Sequence, residues 1–543
     1  MKRHISLLPM LLAAAIGIAQ NANDTINRMV LVESTYNPII AGAVKHNFIP
    51  EEVKPSVSKE EVVYAKESMG LTHFDRQAQS AKAVEMASEK NMPGYAHLGY
   101  GNYNNLSALA AYKLQLGKRS DLALKAHADG WNGKLKWGSN DKWRSYLYDM
   151  GLDADYTLNL GKATLNAGVE AAHYTYNYLG YSIPTDGTDA QKANSLDAHL
   201  NIKGVVKEHY HYYAAISYTH FDRSAHFAYS TPHSENHLRS ETSFGVDLYE
   251  WGMASIGLRY DLLTYQGLAD YHNYGSFGIT PKWEYQYGKL KFVGGFNMDF
   301  LAGKHTLHPI QLSPECSISY VPNKVFTALL TLDGGRDIHT FGNLYELSPY
   351  WASANQLRPS YTFLNARLEG GVRIFEGLHL HIGGGYKIVS DALFETAMDS
   401  LGVVYSGITN HDAQVATVDG AISYNHKDLV SLSAKGAYYH WMMKGDRALL
   451  ARAPQLDASF DARVRIIPNL YAYTNLRWMM FTDTKVMPRE RDIIDWSLGA
   501  NYALNKHFSF FLDAHNLLGH RHSYYTGYPS QGFNVMAGAI VKF

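Results

Sequence analysis

The stretch Gln531 to Phe543 that ends the 543-residue chain alternates from Phe533 onward. Counted back in twos from the end, Phe543, Val541, Ala539, Ala537, Val535 and Phe533 are all apolar. The residues between them, Lys542, Ile540, Gly538, Met536 and Asn534, are mixed and partly polar. Period two is the signature of a β-strand, because successive side chains point to opposite faces. The chain therefore finishes on a strand with one wholly oily face and an aromatic carboxy-terminal residue.

The same period recurs upstream from about residue 93. Residues 121–131 set Leu122, Leu124, Ala126 and Ala128 against Lys125, His127 and Asp129. Residues 196–203 set Leu196, Ala198, Leu200 and Ile202 against Asp197, His199, Asn201 and Lys203. Residues 364–374 set Leu364, Ala366, Leu368, Val372 and Ile374 against Asn365, Arg367, Glu369 and Arg373. Residues 470–480 oppose an apolar set to Tyr471, Tyr473, Asn475 and Arg477. A soluble sandwich would show the same alternation with its oily face inward, so the pattern alone leaves two architectures open.

The connections separate them. Short turns fall at Gly117-Lys118, Gly161-Lys162, Val206-Lys207, Trp251-Gly252, Gly288-Lys289, Pro322-Asn323, Glu376-Gly377, His426-Lys427, Pro468-Asn469 and Asn505-Lys506. Longer connections alternate with them, at residues 132–142, 180–189, 338–358 and 390–409 among others. Short periplasmic turns and long outer loops are the rule of transmembrane barrels, and ten short turns predict about 22 antiparallel strands. The fold class is therefore all-β, with residues 94–103 as first strand closing on residues 531–543. Pro281, Pro314, Pro349 and Pro359 are expected at bulges or above the bilayer, since proline removes a ladder donor.

Composition agrees and excludes some classes. Net charge is −1, so no basic excess points to nucleic acid. Forty Tyr and nine Trp fit membrane interfaces, where one end of the ring is apolar and the other wet. Lys2 and Arg3, an apolar run over residues 7–18 and small residues before Gln20 predict a cleaved secretory signal over residues 1–19. Cys316 is the sole cysteine, so no intramolecular disulfide forms; it reads as a small wall residue. Residues 20–92 carry Pro38, Pro50, Pro55 and many charges, and read as a periplasmic or lumenal extension before the barrel at residues 93–543.

The carboxy-terminal residues carry a resemblance. Leu512-Asp513-Ala514-His515-Asn516-Leu517-Leu518, then Tyr528-Pro529, Gly532 and Phe543, resemble the end of TonB-dependent receptor barrels, and most of all the short Bacteroidota-type members. The resemblance implies a 22-stranded outer-membrane barrel behind an amino-terminal plug of well over a hundred residues. It also makes Phe533, Val541 and Phe543 the signal read by the barrel-assembly machinery. Only about 73 residues precede the first strand here, enough at interior packing density to fill roughly half of such a lumen. Val30, Leu31, Val32 and Glu33 resemble a TonB box weakly, and an ordinary edge strand explains them equally.

Lys125, Asp129, Asp197, Arg367, Glu369, Arg373 and Arg477 are the expected lumen lining. Tyr-rich outer stretches offer Tyr178, Tyr181, Tyr271, Tyr274, Tyr350, Trp351, Tyr525 and Tyr528 as ligand-binding faces, with an aromatic girdle and loop packing as the plainer reading. Close His pairs such as His379 and His381 lack a third ligand, so neither metal nor cofactor is expected. No spacing singles out a nucleophile and base, so no enzyme is expected. Two functions follow: a receptor or channel for solute uptake, partnered by TonB, or a non-transporting structural or assembly subunit held by a periplasmic or surface protein. Lipid bilayer is a partner in both.

Overall fold

The computed structural model describes residues 92–543, apart from 138–140, 181–189, 225–231, 305–307, 353–355, 401, 428 and 486–490. The expected signal, the extension and the Val30–Glu33 stretch lie outside the described residues.

The chain forms one closed antiparallel β-barrel of 22 wall strands. Each strand pairs with the next in sequence, and Gly94–Gly101 pairs with both Leu106–Gly117 and Asn534–Lys542. The closing register runs from Tyr95 opposite Lys542 to Gly101 opposite Met536, as the alternation at the carboxy terminus demands. Ile310–Pro314 and Cys316–Tyr320 form one wall strand interrupted at Glu315, while Trp351–Ala352 is a bridge within a loop. Pro314 thus sits at a break in the ladder. Pro281 lies where pairing to Leu290–Gly303 skips two residues, and Pro349 and Pro359 lie outside the wall strands.

The outward face is the oily one. Leu98, Leu152, Leu200, Ile216, Ile382, Val418, Phe460 and Leu512 are all exposed. An exposed apolar band around a closed ladder is what lipid requires, since every backbone group is paired within the wall. Aromatic residues crowd the short-turn end: Tyr249, Trp251, Trp283 and Tyr287 are exposed, and Trp283 Nε1 donates to the Trp251 carbonyl at 2.8 Å. Such rings anchor a barrel at the membrane–water boundary.

All ten short turns fall between wall strands where the sequence places them. Two expected long connections do not exist as loops. Residues 132–137 and 141–142 continue the paired strands Ser120–Trp137 and Asp141–Asn159, and residues 390–400 and 403–409 continue Leu378–Ser400 and Val403–His426. Asn, Asp, Ser and Gly in these stretches read as loop composition, but cross-strand pairing beyond the bilayer overrides local preference.

The seam where the ends meet is tight. Gly94 and Phe543 exchange two backbone hydrogen bonds, at 2.7 and 3.0 Å, and the Phe543 ring lies against Tyr112 with centroids 6.0 Å apart. A Cβ on Gly94 would come within 2.3 Å of that ring. Gly94→Val should therefore displace Phe543, and Phe543→Ala should remove its packing. Both variants should lower the amount of heat-modifiable, folded barrel recovered from membranes several-fold. Normal levels of folded barrel in both would count against the seam as an assembly determinant.

Candidate functional site

The long-loop end of the barrel is roofed. Three segments build the roof: residues 338–358, the hairpin end at 390–412, and the loop at 516–531. Asp391 adopts φ +54°, and the register of Leu378–Ser400 against Val403–His426 slips between Val389 and Ala392. A bulge of this kind bends a strand. Beyond it, the hairpin reaches the far wall: Val404 N donates to the Leu179 carbonyl at 2.9 Å. Leu179 follows the fifth wall strand, Ala163–Asn177, whereas Val403–His426 is the sixteenth, so the contact joins opposite sides of the mouth.

Residues 338–358 fill the space beneath. Thr340 caps the short helix Phe341–Leu347, its Oγ1 accepting from Asn343 N at 3.2 Å. Phe341, Leu344 and Tyr345 recur at helical spacing and are buried together with Leu347. Trp351–Ala352 then pairs in parallel with Ser406–Gly407. Ser348 Oγ and Ser406 Oγ lie 2.8 Å apart. The Tyr350 ring stacks on Tyr528, centroids 3.4 Å apart and nearly parallel, and Tyr528 OH donates to the Val404 carbonyl at 2.8 Å. One buried cluster thereby joins Trp143, Tyr176, Tyr178 and Phe221 of the wall to all three roof segments.

Arg223 holds this cluster together. It is fully buried at the outer end of Tyr210–Ser224. Its Nε donates to Tyr176 OH at 2.6 Å and its Nη2 to Tyr178 OH at 2.5 Å. Nη1 donates to the Trp351 carbonyl at 2.7 Å and Nη2 also to the Pro349 carbonyl at 2.9 Å. All four partners are neutral oxygens, two from the wall and two from the roof. The guanidinium also lies over the Trp351 ring, 5.1 Å from its centroid.

Glu235 makes a second wall-to-roof contact, accepting from Phe341 N at 2.9 Å. It lies above the apolar band: it pairs with Phe221, whereas the exposed apolar positions of that neighbouring strand end at Tyr218. Burial pushes its carboxyl up to about 8 from an ordinary 4.5, against the smaller opposing effects of the Phe341 amide and the Tyr265 hydroxyl.

Below the roof the inward face carries interleaved charges. Asp261 is fully buried and accepts from His237 Nε2 and Arg239 Nε, each at 2.8 Å. Arg259 Nη2 lies 3.3 Å from Asp299 Oδ1. Arg367 is paired with both Glu369 and Asp419, and Arg477 Nη2 lies 3.0 Å from Asp457 Oδ2. Asp197 accepts from Thr219 Oγ1 at 2.6 Å. Lys125 and Asp129 share the inward set of Ser120–Trp137 with His127, whose Nε2 lies 3.3 Å from Asp149. Arg373 shares the inward set of Ser360–Phe375 with Arg367 and Glu369.

The aromatic residues singled out in the sequence meet each other. Tyr178, Tyr274, Tyr350, Trp351 and Tyr528 are buried, Tyr271 packs on Phe341, Tyr525 packs on Tyr350, and Tyr181 lies outside the described residues. The residues that organise them, Arg223 and Glu235, escaped sequence reasoning. Period two places both on the inward face, but it cannot separate a lumen charge from one sealed under a roof.

No family model and no curated protein sequence matches the chain. Solved structures do. A copper transporter, OprC, superposes with a TM-score of 0.62 at 12% identity over 83% of this chain and 80% of its own. The ferric-catecholate import receptor Fiu of E. coli K12 gives 0.62 at 10% identity over 84% and 82%. The FrpB iron transporter of Neisseria meningitidis gives 0.63 at 13% identity over 84% and 82%. The fold is that of the TonB-dependent receptor barrels. At these identities the likeness concerns the path of the backbone, so the roof and lumen of this barrel stand on their own residues.

Arg223→Met should release residues 349–352 from the wall at a cost of about 3 kcal/mol, since hydrogen bonds from a buried charge are worth about 1.5–3 kcal/mol each. Faster hydrogen exchange over residues 341–352 with an intact barrel would show it. Glu235 adds a pH dependence. Its docked-state value is raised, so its contribution is complete below about 4.5 and is lost as pH rises to about 8. Roof protection, corrected for intrinsic exchange, should fall between pH 5 and 8.5. Glu235→Gln keeps the acceptor oxygen and should abolish the fall; an unchanged pH profile would exclude Glu235 as its source.

Proposed function

We propose that the protein is an outer-membrane receptor or channel for solute uptake, and that the roof is its closed outer gate. The observation that supports this is a gate-like division of labour at the mouth. The wall strands are tied by continuous ladders, whereas residues 341–352 of the roof meet the wall through packed aromatic rings and a few polar contacts, among them those of Arg223 and Glu235. Breaking those contacts leaves the barrel ladder whole. The lumen beneath offers both signs of charge, which suits a polar solute or chelate more than an apolar one. The similar solved structures include a copper transporter and a ferric-catecholate import receptor, which makes metal complexes the first solutes to test. On this reading Tyr271 and Tyr525, only partly buried at the roof margin, are the ring faces open to an arriving ligand. TonB is the proposed energy-supplying partner through Val30–Glu33.

A competing reading is a non-transporting structural or assembly subunit. The observation behind it is the apolar depth of the roof, in which Phe341, Leu344, Tyr350 and Trp351 are buried as in a permanent core. The Ser348–Ser406 contact decides between the two. Ser348→Cys with Ser406→Cys should form a disulfide that fixes the loop after the helix Phe341–Leu347 to the bent end of the wall strand Val403–His426. On the uptake reading, oxidation should abolish metal-chelate uptake in cells and ion conductance in planar bilayers, and reduction should restore both. Uptake that persists with the roof locked would overturn the gate. Absence of conductance and of any uptake defect in a deletion strain would leave the assembly reading standing.

A further inference from the structure

The cations along this part of the lumen wall are not all paired. Arg223 meets four oxygens. Arg239 Nε donates to Asp261 at 2.8 Å, and Arg259 lies 3.4 Å from Asp261 Oδ2 and 3.3 Å from Asp299 Oδ1. Lys282 Nζ lies 3.1 Å from Glu315. Arg336 differs from all of these. It is only 7% exposed, and its Nε and Nη2 are sealed from solvent without a hydrogen-bond partner among the described residues. Asp299, the carboxylate that acts on it most strongly, is engaged by Arg259.

Arg336 stands where the wall becomes the roof. Strand Phe326–Asp337 ends one residue after it, and the roof segment 338–358 follows. Its register partner is Tyr361, which is fully buried and whose ring centroid lies 5.7 Å from the guanidinium carbon. The hydroxyls of Tyr361 and Ser313 meet nearby. Gly335, the preceding residue, adopts φ +135°, and a Cβ there would find nothing nearer than Asn297 Nδ2 at 3.8 Å and Asp299 Oδ2 at 3.9 Å. Side chains hold the backbone on either side of it. Asn297 Nδ2 donates to the Gly334 carbonyl at 2.9 Å, and Arg259 Nη2 to the Arg336 carbonyl at 3.3 Å. The root of the roof is thus fixed in place, with room for a few atoms beside Gly335.

The Nε–H and the adjacent Nη2–H of a guanidinium point the same way and form an edge that grips a carboxylate through two parallel bonds. A buried cation left without such a partner is strongly destabilising. The roofed state carries that cost at Arg336, and two anionic oxygens would offset it. We infer that Arg336 is a subsite for a carboxylate group of a solute in the outer lumen. When the roof segment lifts, Nε and Nη2 are uncovered and the carboxylate docks on them. When the segment returns, the group is held among Arg336, the Tyr361 and Ser313 hydroxyls and the space at Gly335. Binding favours the roofed state, since only that state surrounds the anion. The inference rests on the uptake reading for the source of the solute, and it narrows that solute to one bearing a carboxylate.

The test uses the full chain in detergent at constant ionic strength, with succinate as the probe and succinamide as its uncharged counterpart. Amide hydrogen exchange over residues 333–341 is followed by mass spectrometry. Succinate should slow that exchange saturably, and succinamide should leave it unchanged. Arg336→Lys keeps the charge without the fork and should weaken succinate about tenfold. Arg336→Met removes both and should lose the response. Without succinate it should exchange no faster than wild type, because no unpaired charge remains buried. Faster exchange in probe-free Arg336→Met, matching that of Asp299→Asn, would overturn the proposal and make Arg336 a structural partner of Asp299. So would an equal response to succinate in wild type and Arg336→Met. An equal response to inorganic phosphate would overturn the choice of carboxylate. Exchange is read without transport, so a chain that binds succinate but fails the uptake assay sinks the uptake reading and leaves the subsite in place.

Discussion

Everything in this molecule depends on closing a hydrogen-bonded ladder in a solvent that offers no hydrogen bonds. A strand edge exposed to lipid leaves a row of N–H and C=O groups without partners, at several kcal/mol for each group. The contact of Gly94–Gly101 with Asn534–Lys542 removes the last such edge. It brings together two segments more than 430 residues apart, so the first strand cannot be satisfied until the last is made. The aromatic terminus packs where the first strand has no side chain, which sets the closing register and completes the outward oily surface at one point.

Closure also creates the conditions for the roof. Once the wall is rigid, its outer strand ends become a fixed rim on which other segments can dock. The hairpin of Leu378–Ser400 and Val403–His426 rises from that rim and bends at Asp391. Residues 338–358 wedge beneath it, and Tyr528 stacks from a third side. Arg223 ties wall to roof through neutral oxygens alone. A carboxylate partner would neutralise the cation permanently, whereas hydroxyls and carbonyls satisfy its donors while leaving two of its four bonds dependent on the roof staying docked. The wall and the roof are thereby stabilised by different physics: continuous ladders in the first, a small number of buried polar anchors within an aromatic core in the second.

Much of the wall was legible because its determinants are local. Gly117-Lys118, Pro468-Asn469 and the other short turns carry turn chemistry within two residues, and period two assigns a face to each side chain. The paired charges of the lumen follow from that same period. The roof was not legible for a corresponding reason. Asp, Ser, Thr and Gly at 390–409 look like a loop, yet pairing with the neighbouring strand makes them a hairpin extension. The eight aromatic residues picked out by their richness in Tyr and Trp looked like a surface for ligands. Most instead face one another, because Phe341–Leu347 and Trp351 arrive from elsewhere in the chain to cover them. Arg223 has the alternating position of any lumen cation, and only Trp351, 128 residues on, distinguishes it.

The sequence by itself determined the strand period, the turn parity, the strand number and the oily outward face, since each is set by the order of neighbouring residues and by the demand that lipid places on every backbone group. The tertiary structure alone decided that the mouth is roofed and that Arg223 and Glu235 anchor the roof. Those features join residues from opposite sides of the barrel. The physical reason is that tilt and curvature convert distance along the chain into direction around a cylinder, and no reading of one strand at a time contains that conversion.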